Sequence, residues 1–166
     1  MEPITFITSF LTFYLKGEIA GDQNFIKLKI PNTFLTFIPL GAQKATVPVN
    51  QIASVDTNFK LNFKALLIGV IVAFIGLAAF GDSILLGLIL TIWGVLVVLN
   101  SFMTALIINT TSGEAKLVFF IIFEKAKAEL AAKRINKLVS GRMNDTNVRE
   151  HTERSTDRIV DAINKN

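Results

Sequence analysis

The apolar residues of this chain recur with different spacings in different segments, and each spacing predicts a different element. Between Lys64 and Asp82 the run ALLIGVIVAFIGLAAFG carries no charge, and the block that follows Asp82, SILLGLILTIWGVLVVLNSF, carries none either. One helix over residues 65–102 would rise about 57 Å, far more than the roughly 30 Å of a bilayer's hydrocarbon core, so the run has to fold back. Gly81, Asp82 and Ser83 hold the turn chemistry: glycine can end one helix, and Asp82 or Ser83 can cap the next. The pattern predicts a transmembrane hairpin over 61–102, with helices at about 64–80 and 84–102 and a turn at 81–83. Gly69 and Gly76 in the first helix, and Gly87 and Gly94 in the second, are seven residues apart and predict small-residue stripes where the helices pack.

The flanking segments read as strands. From Phe25 to Ile30 apolar residues alternate with lysines, and Val47, Val49, Ile52 and Val55 repeat the pattern more loosely, which predicts about four short strands before Leu61. After the hairpin, TALIINTTSGEAKLVFFIIF gives two further strands around a turn at Thr111 to Glu114. Residues 124–139, EKAKAELAAKRINKLV, favour a helix that ends at Ser140-Gly141, with Phe123, Leu130, Ala131, Ile135 and Leu138 as its apolar stripe. The opening TFITSFLTFYL is too short to span and suits an edge strand or an interfacial segment. The domain reading is a discontinuous unit of 1–60 and 103–139, the hairpin of 61–102, and a polar linker with a short C-terminal helix at 140–166. That last helix would offer Ile159, Val160 and Ile163 to a protein partner.

Composition sharpens this. Apolar residues make up 51% of the 166 and charged residues 18%, with a mean hydropathy of +0.52, values that predict a membrane protein. Glu2 stands where a signal peptide has lysines, so no cleaved signal is expected. Lys60 and Lys64 before the hairpin, and Lys116, Lys125 and Lys127 after it, are the expected topology anchors, with both termini cytoplasmic in a two-helix protein of the bacterial plasma membrane. Asp82 suits the turn, a re-entrant loop or a buried proton or ion site. The basic residues of 124–139 suit anionic headgroups or a solvated helix face. Without cysteine, with one histidine and with no nucleotide, hydrolase or zinc motif, neither an enzyme nor a cofactor or metal is expected. The net charge of +4 is explained by the flanks, and no nucleic-acid motif accompanies it.

The segments KATVPVNQIASVD, TALIINTTSGE and FEKAKAELAAKRINKL, within about residues 12–139, resemble the membrane-inserted bacterial pleckstrin-homology-like proteins of Gram-positive organisms and their phages. The resemblance implies a membrane α+β fold: a small curved sheet or open barrel, closed by a C-terminal amphipathic helix and interrupted by the transmembrane hairpin. The expected function is a non-enzymatic scaffold or adaptor that binds the lipid bilayer, forms a homo-oligomer at the inner membrane face and recruits a partner through its tail. The alternatives are a subunit of a small channel or transporter, and an exclusion or immunity factor acting on another membrane protein.

Overall fold

Before the apolar blocks the described residues form five antiparallel strands: the opening segment supplies an edge strand, and the four expected from the alternating segments follow it. The structure, a computed structural model, describes residues 1–34 and 38–164. Strands β1 (Ile4–Ile7), β2 (Lys16–Gly21), β3 (Phe25–Phe34) and β4 (Ile38–Pro48) make one sheet in that order. A second sheet contains β5 (Ile52–Leu61), β6 (Phe102–Thr110) and β7 (Ala115–Ile121), also in chain order. Gly113, at φ 84°, supplies the left-handed residue that the β6–β7 turn requires.

Alternation decides which side chains go inside. Ile26 and Leu28 of β3 are buried while Phe25 is exposed, and Val47, Val49, Ile52 and Val55 all enter the core. Phe6 of β1 and Phe120 of β7 join the two sheets, their ring centroids 4.2 Å apart. Helix α3 (Lys125–Asn164) closes the core. It packs with Ala128, Ala131, Ala132 and Ile135, while Phe123 just before it is 73% exposed and Leu130 is 41% exposed. The expected stripe is thus rotated toward the alanines, whose small side chains let the helix backbone approach the strands closely.

Nor does α3 stop at Ser140-Gly141, where the expected linker begins. Ser140 donates from Oγ to the Lys137 carbonyl at 3.1 Å, and Thr146 and Thr152 bond in the same way to the carbonyls of Arg142 and Val148. Back-bonding of this kind lets Ser and Thr stay helical, and one glycine among good helix formers costs only about 1 kcal/mol relative to alanine. Residues 140–164 therefore continue the helix instead of forming a linker and a separate short one.

The hairpin requires the main correction. Helices α1 (Phe63–Ala79) and α2 (Ile84–Asn100) have 17 residues each and rise about 26 Å, less than the roughly 30 Å hydrocarbon core. Among the described residues no helix is long and apolar enough to cross a membrane. Leu61 and Phe102, which the sequence reading assigned to the spans, belong instead to the β5–β6 ladder, where they pair with each other. Asn62 then caps α1, its Oδ1 accepting from the Ala65 amide at 3.2 Å. In place of a membrane α+β fold with two transmembrane helices, the described residues form an α+β fold of two antiparallel sheets and three α-helices. The assignment to a multi-pass protein of the bacterial plasma membrane, with both termini cytoplasmic, falls with the two spans.

Candidate functional site

In the hairpin the usual relation between size and burial is inverted. Its buried residues are glycines, namely Gly69 and Gly76 in α1 and Gly87 and Gly94 in α2. A methyl group built on Gly76 would lie 2.5 Å from the Thr91 amide nitrogen, and one on Gly69 would lie 2.8 Å from that of Val98. The two backbones approach as closely as glycine allows, so the larger side chains of both helices point outward. Phe74 is 68% exposed and Ile84 is 74% exposed, and Leu67, Ile71, Leu85 and Ile89 are exposed with them. No residue of either helix belongs to the core cluster beneath the sheets.

The polar side chains of α2, Thr91 and Asn100, are turned away from this surface. Thr91 Oγ1 is buried between the helices, beside Gly76 and without a hydrogen-bond partner. Ser101 is buried and donates to the Val98 carbonyl at 2.6 Å. Asn100 faces the body: its Oδ1 accepts from the Phe10 amide at 2.7 Å, and its Nδ2 donates to Ser9 Oγ at 2.7 Å. These bonds fasten the segment after β1 to the base of α2, above an apolar cavity of about 290 Å³ lined by Leu11, Ile30, Val97, Met103 and Phe119 among others. In the sequence nothing local to Asn100 points to Ser9, 91 positions away.

Gly81, Asp82 and Ser83 lie between the helices, all exposed, with Ser83 Oγ accepting from the Leu86 amide at 3.5 Å. Lys60 sits at the hairpin's base with its Nζ 5.1 Å from the centroid of the Phe119 ring, and Lys64 is exposed in the first turn of α1. Glu124 is a second joint that the sequence did not single out: its Oε2 accepts from the Ile7 amide at 2.6 Å and its Oε1 pairs with Lys127, so the entry to α3 is tied to β1. The side chains of Ile159, Val160 and Ile163 lie outside the described ones.

At the end of the body away from the hairpin, Asp22 shapes the β2–β3 turn. Its carboxylate accepts from the amides of Asn24 and Phe25, each at 2.8 Å, and these bonds hold its pKa below the ordinary value. No group of three or more His, Cys, Asp or Glu side chains is placed to hold a metal ion among the described residues. The arrangement offers a large apolar surface on a stiff hairpin, a hydrogen-bonded joint beneath it, and a separately packed body. Compared with family models, curated proteins and solved structures, the chain matches none of them.

Proposed function

We propose that this chain is a non-enzymatic scaffold that attaches to a lipid bilayer through its apolar hairpin, assembles with copies of itself, and presents its sheet-and-helix body to a partner. The observation that carries the reading is the inversion in the hairpin, where glycines are buried and the large apolar side chains are exposed. Covering a fully exposed large apolar side chain is worth about 1.5–3 kcal/mol, and those of the hairpin are about half exposed. Taken over both helices, an apolar surrounding would stabilise the hairpin by an amount comparable to the roughly 5–15 kcal/mol that keeps a typical domain folded. Exposed apolar patches of this extent mark an interaction surface, and this one carries no charge between Lys64 and the turn or along α2. Lipid hydrocarbon is the surrounding that asks for no complementary shape.

The only tryptophan of the chain, Trp93, lies in α2 and is 43% exposed, so it reports directly on what covers the hairpin. On transfer from detergent to phosphatidylcholine vesicles with brominated acyl chains, its emission should be strongly quenched relative to unbrominated vesicles. Unquenched emission from a lipid-free multimer would overturn lipid attachment and leave the hairpins covering one another.

A further inference from the structure

The end of the body opposite the hairpin carries a cleft that the hairpin does not explain. Ile121 of β7 pairs with Met103, next to the hairpin's base, and Ile52 pairs with Thr110 at the far end. Helix α3 therefore starts beside the hairpin and leaves the body at the opposite end, where Val139, Arg142 and Met143 line a cavity with Val49, Asn50 and Ile52. A second cavity of about 560 Å³ lies on the adjoining face of α3, lined by Arg134, Lys137, Leu138 and Asp145 together with Glu2 and Gln23. A third, under the β2–β3 turn, is lined by Asn24, Asn50 and Gln51. Arg142 lines all three, and Gly141 beside it lines the second.

The charges in this cleft are partly spent. Arg134 is 4.0 Å from the Glu2 carboxylate, whereas Lys137 and Arg142 have no carboxylate partner among the described residues. Asp145 on the same lining works against a compact phosphate ligand. Two free cations beside half-exposed apolar groups and a rim of side-chain amides suit an extended chain, whose carboxylates pair with Arg142 and Lys137 while its backbone bonds to Asn24, Asn50 or Gln51.

We propose that this cleft binds an acidic, partly apolar peptide segment of a partner protein, with Arg142 as its anchoring cation. The inference rests on the scaffold reading and names the surface through which the scaffold recruits. It places recruitment at the exit of α3 and not at Ile159, Val160 and Ile163.

The test uses the full chain in detergent and a short fluorescein-labelled peptide of alternating glutamate and leucine, with the lysine and leucine counterpart as control. Fluorescence anisotropy should show saturable binding of the acidic peptide, weakened about tenfold or more by Arg142→Glu and by Lys137→Glu. Lys125→Glu, on the hairpin side of the same helix, and removal of residues 148–166 should leave the affinity unchanged. Absence of binding, equal loss with Lys125→Glu, or equal binding of the lysine peptide would overturn the proposal. So would vesicles: if Arg142→Glu lowers retention on phosphatidylserine vesicles and spares peptide binding, the cleft serves lipid headgroups. Quenching of Trp93 in the same variants keeps a failure of the cleft distinct from a failure of hairpin attachment.

Discussion

Asn100 shows how one side chain can join two elements that the sequence sets far apart. Its amide satisfies the Phe10 backbone N–H and the Ser9 hydroxyl, and both bonds are partly shielded from water at the base of the hairpin. Asn100→Ala leaves these groups unpaired, which should lower stability by about 1–3 kcal/mol. Chemical denaturation would measure that loss, and amide exchange at Phe10 should accelerate while exchange in the core strands, at Leu106 for instance, stays slow. In the sequence Asn100 and Ser101 are adjacent polar residues at the end of an apolar run, which announces neither a pore nor a clamp. The distinction required the position of Ser9.

At the level of elements, the hairpin depends on its glycine contacts. Gly76→Val places a branched side chain where the first added carbon already lies 2.5 Å from the Thr91 backbone. The helices would have to separate, at a cost of about 1–3 kcal/mol or more. Spin labels at the exposed Phe74 of α1 and Ile92 of α2 should report a longer interhelix distance in the Gly76→Val background than in the parent chain. An unchanged distance would show that the stripe is not the packing surface. The seven-residue glycine spacing was readable without coordinates because close helix packing needs small residues at repeating positions on one face. Helix length was not readable, since Leu61 and Phe102 are as apolar as the helices they flank, and only strand pairing removes them from the span. The α3 stripe held at Ala131, Ile135 and Leu138 but not at Phe123 and Leu130: hydrophobicity ranks those two above alanine, while the side of the helix that meets the sheets carries Ala128 and Ala132 instead.

For the molecule as a whole, the consequence is modularity. The hairpin leaves and re-enters the body between Leu61 and Phe102, neighbours in the β5–β6 ladder, and Asn62 N–H bonds to the Ser101 carbonyl at 2.8 Å across its base. Because the core cluster contains none of its residues, replacing 63–100 by a short glycine and asparagine turn should leave the body folded. Dispersed amide resonances and protection of Ile19, Leu106 and Ile135 would be the expected result, and a collapsed spectrum would show that the hairpin is needed for folding. The sequence by itself determined strands on both sides of a helical hairpin, a helix after the last strand, the fold-back at Gly81 to Ser83 and the alternation of β3, because alternation, turn residues and glycine spacing are local constraints. Tertiary structure alone decided the division into two sheets, the length of each hairpin helix, the clamp from Asn100 to Ser9, and the gathering of Arg142 with the β2–β3 turn and the segment before β5. Each of these depends on which distant backbone groups pair and how much space remains between packed elements, and no spacing along the chain encodes that.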